Sequence, residues 1–254
     1  MALLPTTWNP ADKEGGVSLS NGNLTATSGG ANNGPVRSVF GASSGKWYWE
    51  LTYTGTFPIL GVALPSWVLL DYPGYQADSL GFYGGAAPKK IKDATPQNYG
   101  APWSSGVVLG VMLNMDAGTV ELAINGVAQG VMFSGLVGTY HAASGSSSSA
   151  NAVVTANFGG SAFAFAPPTG YNAGFGVPAF TLSGTVTGST GSPAARAIRA
   201  IREDTGAYVG GVISNATTGA YTIPTDHFGE HTVVAYPATG ENLPALVHHG
   251  VIPI

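Results

Sequence analysis

Apolar and polar residues alternate with a period of two along most of this chain, the pattern of β-strands with one buried face. The clearest run is residues 46–53, where Trp47, Trp49 and Leu51 share one face. Residues 59–64 form the next apolar run, and we interpret them as the neighbouring strand of the same sheet. Because no segment shows a convincing helical period of 3.6 residues, the pattern predicts an all-β, antiparallel fold.

Turn residues separate these runs at the spacing of short strands. Asn-Gly steps at residues 21–22 and 125–126 predict tight hairpins, since both residues tolerate the positive φ that such turns need. The second step closes a predicted three-stranded meander over residues 107–133, whose apolar runs are typical of buried sandwich strands. Two more strands are predicted at 153–158 and 162–166, and six or seven short ones follow residue 178. The last group predicts a second, smaller β-sandwich.

Composition narrows the class of protein. The chain has 38 Gly but 10% aromatic residues, so it can bury a core and the glycines indicate turns rather than disorder. A net charge of −4 gives no bulk attraction to nucleic acid or an anionic membrane. The absence of cysteine excludes disulfides and thiolate metal sites. No apolar stretch reaches the roughly 20 residues of a membrane span, and residues 1–5 are too short and uncharged for a signal peptide.

Three segments resemble the SPRY family, and they occur in the order that this family presents them. They are Gly45-Lys46-Trp47-Tyr48-Trp49-Glu50-Leu51, the stretch from Trp103 through Asp116-Ala117-Gly118-Thr119 to Asn125-Gly126, and Asn157-Phe158-Gly159 with the following Phe163 to Tyr171. The resemblance covers residues 36–171 and implies a SPRY-like β-sandwich that works by binding. Val107 stands where the family has an acidic residue, and the N-terminal motif that completes the ligand pocket of the animal B30.2 version is not recognisable.

The C-terminal part resembles transthyretin-like or carboxypeptidase-regulatory-like sandwiches, through Leu182-Ser183-Gly184, Asp204-Thr205-Gly206 and Thr218-Gly219-Ala220. We therefore expect a β extension over residues 1–35 that completes the first sandwich or holds a partner, a SPRY-like domain over 36–176 and a small sandwich over 177–254. This pairing resembles bacteriophage virion proteins. It implies a structural component of a tail, baseplate, neck or particle surface, made in the bacterial host cytoplasm.

The candidate binding residues lie in a long region of loops between residues 65 and 103. Aromatic side chains on loops of a rigid scaffold are common anchors for glycans and proteins, and lysines contact acidic partners. The candidates are Trp67, Tyr72, Tyr75, Tyr99, Trp103, Lys89 and Lys90. The alternative is that the aromatic residues pack the loops onto the sandwich and that the lysines are solvated.

Catalytic and metal-binding alternatives are weaker. Gly41-Ala42-Ser43-Ser44-Gly45 fits a nucleophile motif, but that motif requires a strand-to-helix elbow and a strand follows here. Asp116 and Glu121 lie in one hairpin and could act as paired carboxylates, while Glu50 is expected to point outward. His227 or His231 could form a metal site together with His248 or His249 on another strand. We expect no enzyme activity, cofactor or metal.

Three functions from different classes remain open. A virion component would bind other virion subunits and occur as a homo-oligomer or in many copies, with the strand at residues 245–254 available to pair with a neighbour. A receptor- or glycan-binding module for host recognition would use the loop aromatics. An enzyme would depend on Asp116 or Glu121.

Overall fold

The computed structural model describes residues 3–29, 33–55, 58–147, 152–178, 180–225, 227, 229–238 and 244–253. Within those ranges every regular element is a strand, as the sequence predicts. The strands are β1 Leu3–Pro5, β2 Trp8–Lys13, β3 Ser18–Ser20, β4 Thr25–Thr27, β5 Val36–Ala42, β6 Lys46–Thr54, β7 Pro58–Ala63, β8 Ser79–Tyr83, β9 Lys89–Lys92, β10 Thr95–Asn98, β11 Leu109–Asn114, β12 Thr119–Ile124, β13 Val127–Ser134, β14 Tyr140–Ser146, β15 Val153–Asn157, β16 Asn172–Ala173, β17 Gly176–Pro178, β18 Phe180–Thr185, β19 Ala197–Arg202, β20 Tyr208–Ile213, β21 Ala220–Thr225, β22 His231–Tyr236 and β23 Leu246–Val251. A helix able to cross a membrane is absent from these ranges.

The chain divides into two compact units. The larger unit is Pro5–Val177, and the smaller unit combines Pro178–Ile254 with Met1–Leu4.

Two antiparallel sheets form the larger unit. A seven-stranded sheet has the order β10-β9-β8-β7-β14-β5-β2. An eight-stranded sheet has the order β13-β12-β11-β6-β15-β4-β3, and its eighth strand, β16, pairs parallel with β6. The predicted meander is confirmed as β11, β12 and β13, and its turn contains Asn125 at φ 47° and Gly126 at φ 78°. The hairpin predicted at Asn21-Gly22 is also confirmed, since β3 pairs with β4. The first 35 residues contribute β2 to one sheet and β3 and β4 to the other.

The aromatic strand β6 lies at the centre of the eight-stranded sheet, between β11 and β15. Trp49 is fully buried against Phe158 and Phe175, which form a cluster of rings with Trp8. Leu51 is also fully buried. The pairing predicted for residues 59–64 is wrong, because β7 joins β8 and β14 in the opposite sheet. The consecutive strands β6 and β7 thus lie in different sheets, which an apolar pattern alone does not reveal.

The opposite face of β6 is also covered. Residues 162–166, predicted as a strand, form a loop on the outside of the eight-stranded sheet, and Phe163 packs against Tyr48 at a ring-centroid distance of 5.1 Å. This loop explains why Tyr48 and Glu50 are buried although they point away from the sandwich core.

The smaller unit contains a four-stranded sheet of order β20-β19-β22-β23 and a two-stranded sheet of β18 and β21. Its core comprises Leu182, Val186, Ile198, Ala200, Ile223 and Val233. Strands β19 and β20 pair as a hairpin on either side of Asp204-Thr205-Gly206.

Candidate binding site

The main concave site of the larger unit is a cavity of about 600 Å³ at one end of the seven-stranded sheet. Buried side chains of Tyr53, Ile59, Ile91 and Trp103 form its floor. Its rim consists of more exposed residues: Gly55, Tyr72, Tyr83, Gly84, Gly85, Ala94, Pro96, Ser104, Ser105 and Ser147. No Asp, Glu, Lys, Arg or His lines it in the part of the chain that the structure describes.

Trp103 shapes the cavity, and two neighbours fix it. Its indole makes an edge-to-face contact with Tyr53 at 5.5 Å between ring centroids. The same indole lies against the backbone of Gly84, where a Cβ atom would be only 2.5 Å from two ring atoms. The amide of Gly85 then donates a hydrogen bond of 2.8 Å to the carbonyl of Trp103. Glycine at position 84 is therefore required by the close approach of the ring.

Hydroxyl groups supply the polar chemistry of the cavity. Burial raises the pKa of Tyr53, and burial followed by the Asp71 charge raises the pKa of Tyr72. Both hydroxyls therefore stay protonated at neutral pH and can donate hydrogen bonds. Ser105 donates its hydroxyl hydrogen to the carbonyl of Tyr53 at 3.0 Å, which joins the rim to the floor. The site combines apolar contact with a few uncharged donors.

Arg37 fixes the loop that leads to the rim. Its guanidinium is 7% exposed and donates to the carbonyls of Leu64, Pro65 and Trp67 at 2.7–2.9 Å. It also forms a bidentate pair with Asp12, at 2.7 and 2.9 Å. The loop is thus held at its base, and the residues that follow carry Tyr72 to the cavity.

Trp67, one of the candidate binding residues, does not line the cavity. Its side chain is 2% exposed, packs with Ala63, Ala143 and Leu69, and lies below Arg37 at 5.8 Å. A residue enclosed in this way anchors its own loop and presents no surface to a ligand. The loop-packing alternative therefore applies to this residue.

The other aromatic candidates are distributed around the cavity. Trp103 is also buried, but on the cavity floor, while Tyr72 stands on the rim. Tyr75 is 45% exposed and contacts the Tyr72 ring at 5.3 Å, outside the lining. Sequence reasoning missed Tyr53 and Tyr83 as site residues. A tyrosine directly before the Gly84-Gly85 pair was the available signal.

Lys89 and Lys90 lie on strand β9, and Tyr99 follows strand β10. The Tyr99 hydroxyl donates to Gly130 O at 2.6 Å and accepts from the Leu122 amide at 3.2 Å. Burial raises the pKa of Tyr99 to about 12. Lys90 donates to Met132 O at 2.7 Å, and Lys89 bonds Asn98. Tyr99 and Lys90 therefore connect the β9–β10 hairpin to strand β13, and their binding role stays a prediction.

Each carboxylate considered for catalysis accepts a hydrogen bond from a backbone amide. Asp116 accepts from Gly45 at 2.6 Å, and Glu121 accepts from Gly130 at 2.8 Å. Glu50 points away from the sandwich core, as expected, but the 162–166 loop covers it. The Glu50 carboxylate accepts from the Ala164 and Phe165 amides at 2.8 and 2.9 Å and from the Tyr48 hydroxyl at 3.0 Å.

The histidines form contacts within their own units. His231 is fully buried and lies 3.1 Å from the Thr225 hydroxyl, with the His227 ring at 5.3 Å. His249 lies 2.8 Å from the Thr232 hydroxyl. Burial lowers the pKa of His141, whose Nδ1 is 2.9 Å from Ser38 O. Across the described ranges, no three His, Asp or Glu side chains converge as metal ligands.

Comparisons with known proteins match part of the larger unit. Residues 46–161 match the model of the SPRY domain family. Ran-binding protein 9 of Xenopus tropicalis is 30% identical over 172 residues, a match that covers 63% of this chain and 31% of that protein. Ran-binding protein 10 of Danio rerio is 28% identical over 173 residues, with 64% and 28% covered. The chain thus matches less than a third of the length of these relatives.

Solved structures of SPRY domains share the fold of this part of the chain. The crystal structure of the SPRY domain of human HERC1 superposes with a TM-score of 0.52 at 16% identity, over 59% of this chain and 96% of that one. The TRIM65 PSpry domain gives a TM-score of 0.51 at 18% identity, over 60% and 92%. Residues 46–161 therefore form a SPRY domain within an all-β chain.

Proposed function

We propose that the SPRY domain over residues 46–161 is a protein-binding module and that its uncharged cavity receives an apolar, uncharged segment of the partner. The observation that carries the proposal is the cavity itself. Its volume of about 600 Å³ lies within the usual range of ligand sites, about 300–1,000 Å³. Its described lining combines aromatic and aliphatic side chains with hydroxyl groups alone.

The chemistry of the lining supports an apolar anchor. Buried aromatic pockets that exclude water contribute most of the energy at protein interfaces, while the polar rim orients the partner. Here Trp103 and Tyr53 form the floor, and the hydroxyls of Tyr72 and Tyr83 are placed to bond the partner's backbone. A charged segment would lose its hydration without gaining an opposite charge, so the site discriminates against it.

The glycan alternative is less well supported by this lining. Sugars present many hydroxyl groups, and a site for them needs several convergent hydrogen-bonding side chains beside a stacking ring. The described lining has no carboxylate or amide side chain for this purpose. We therefore place the protein-binding proposal first and retain host-receptor recognition as one form of it.

For the biological setting of this protein, we propose that it is a structural component of a virion and has no enzyme activity. Support comes from the resemblance of the two-part organisation to bacteriophage virion proteins and from a content of charged residues of only 9%. Labelling of intact particles with gold-tagged antibody tests this setting directly. Label at a tail, baseplate, neck or particle surface is expected. Particles without label would contradict the virion setting and leave the binding proposal to stand alone.

The cavity is tested by selecting random peptides from a display library on the full chain and measuring the affinity of the selected peptides by fluorescence anisotropy. We expect peptides with apolar, uncharged cores. Replacing Ser104 on the rim by Trp should fill the cavity and abolish their binding. The matched control is Ser43→Trp, on an exposed turn that does not line the cavity. Selected peptides that bind Ser104→Trp as well as the wild type would overturn the proposal.

A further inference from the structure

The last strand of the smaller unit is an exposed sheet edge. Strand β23 pairs with β22 on one side, regularly from Leu246 to His248, and ends the four-stranded sheet on the other. The side chains of Leu246 and Val247 are 57% and 44% exposed. These two residues point to opposite faces, so the strand is open to solvent on both faces as well as along its edge.

Natural sheets usually protect such edges with charges, proline, bulges or a covering segment. Strand β23 has the sequence Leu-Val-His-His-Gly-Val, with no Pro, Asp, Glu, Lys or Arg. Near its end, the Gly250 amide donates a hydrogen bond of 2.8 Å to the Glu203 carboxylate. The register against β22 is irregular between His248 and Val251, so Leu246–His248 is the regular part of the edge that can pair with another strand.

The edge strands of the larger unit, in contrast, carry features that hinder pairing with another strand. Strand β10 is four residues long and contains Pro96, and β3 has only three residues. Strand β2 contains a proline, two charged residues and an irregular register. Strand β13 has irregular register, and Lys90 and Tyr99 bond its Met132 and Gly130 carbonyls. Each of these edges is short, irregular or covered.

The other edges of the smaller unit are also occupied. Strand β20 has a bulge against β19, and its Gly210 lies beside Ile223 of β21. The following turn is closed by the bond from the Asn215 amide to Ala220 O. In β18, Phe180 and Thr181 make further contacts. Among the described strands of this unit, β23 is therefore the edge best suited to pairing.

We infer that β23 is a self-association surface, through which two copies of this chain pair their β23 strands antiparallel about a twofold axis. The occupant is a second copy because the edge is compatible with itself. Strand β23 carries no formal charge, and in the register centred on Val247 this valine faces its counterpart while Leu246 faces His248. Such a pair continues the four-stranded sheet across the axis. Because pairing uses the open edge of both copies, association stops at the dimer.

The strength of the contact follows from its size. One six-residue strand buries less surface than a standard stable interface. The dimer should therefore be reversible and depend on protein concentration. In a multi-copy setting, the same weak contact would gain from the high local concentration.

The test is sedimentation velocity of the full chain over about a hundredfold range of concentration, with the variant Val247→Lys. The wild type should shift from monomer to dimer. The variant places two like charges near the axis and should raise the dimer dissociation constant roughly tenfold or more. Hydrogen exchange should show that the amides of β23 gain protection as the wild-type protein becomes more concentrated.

The matched control is Ile213→Lys on β20, the opposite edge of the same sheet, where the side chain is 66% exposed. This variant should dimerise like the wild type, and circular dichroism should show all three proteins equally folded. A wild type that stays monomeric throughout the range would overturn the inference. A Val247→Lys protein that dimerises normally, or an Ile213→Lys protein that does not, would place the contact elsewhere.

Discussion

Arg37 and Asp12 form a bidentate ion pair, with Nε–Oδ2 and Nη2–Oδ1 distances of 2.7 and 2.9 Å, in which the arginine is nearly buried and the aspartate is partly exposed. The remaining guanidinium nitrogen donates to three backbone carbonyls of the loop after β7. One side chain from β5 thus fixes a strand from the first 13 residues and the loop that leads to the cavity.

Replacement of Arg37 by Met should lower the free energy of unfolding of the larger unit by about 3 kcal/mol or more, because three carbonyls and a carboxylate lose their donor. Arg37→Lys should recover only part of this loss, since an ammonium group cannot reproduce the fork of five donors. Urea unfolding followed by tryptophan fluorescence measures both. Arg199→Met, at an exposed arginine of the smaller unit, is the control and should change stability by less than about 0.5 kcal/mol.

The buried carboxylate of Glu50 should likewise stabilise the loop over residues 162–166. Glu50→Ala removes the acceptor for two amides and a hydroxyl, and we expect a loss of about 2–4 kcal/mol. Glu121→Ala is the matched control, because its partly exposed carboxylate accepts one amide, and it should cost about 1 kcal/mol. Equal losses in the two variants would show that the loop does not depend on Glu50.

Because the Trp103 indole lies against the backbone of Gly84, adding one methyl group at position 84 should have a strong effect. Gly84→Ala should displace the indole from the cavity floor, lower stability by about 1–3 kcal/mol and weaken the binding of selected peptides. Gly160→Ala is the control, because a Cβ atom there meets no atom within 4 Å. That change should be neutral or slightly stabilising. A Gly84→Ala protein with wild-type stability and tryptophan fluorescence would contradict the assignment.

Local signals in the sequence predicted much of the fold. The meander of β11, β12 and β13 follows from apolar runs and from an Asn-Gly turn whose two residues adopt positive φ. The SPRY resemblance rests on the same segments and on the order in which they occur. These features depend on residues close together in the chain, which is why a single sequence shows them.

Contacts between distant residues were not predictable in the same way. The partner of β7 was wrong because the pattern of an apolar strand does not specify its sheet. The cavity joins Tyr53 at the end of β6 with Trp103, which lies 50 positions later, and the intervening loop determines whether either ring is exposed. Trp67 and Trp103 both occur in loops, yet only the fold places one below Arg37 and the other on the cavity floor.

Asp204 should titrate abnormally in the smaller unit. Its hydrogen bonds from Arg202, with a further contribution from the Arg202 charge, lower its pKa from 3.8 to about 2. Because the folded-state pKa is the lower one, the stabilisation is present above about pH 4 and is lost as the pH falls towards 2. Carbon-13 NMR of the carboxyl groups measures this directly.

Arg202→Met should raise the pKa of Asp204 towards 3.8. It should leave the lowered pKa of Glu203 unchanged, because the Gly250 amide and the Thr232 hydroxyl are the main causes there. Unfolding curves of Asp204→Asn should show a shallower loss of stability between pH 4 and pH 2. An Asp204 resonance that titrates near pH 4 in the wild type would contradict the pairing with Arg202.

Removing the hydroxyl of Tyr99 or of Tyr72 should distinguish a structural role from a binding role. Tyr99→Phe keeps the ring but leaves Gly130 O and the Leu122 amide without this partner, so stability should fall by about 1–2 kcal/mol. The affinity of cavity-binding peptides should stay unchanged, because Tyr99 does not line the cavity. Tyr72→Phe should show the reverse, with stability preserved and affinity reduced, since Tyr72 lines the cavity. If Tyr99→Phe weakened peptide binding at unchanged stability, the partner would have to extend beyond the cavity onto the edge of β13.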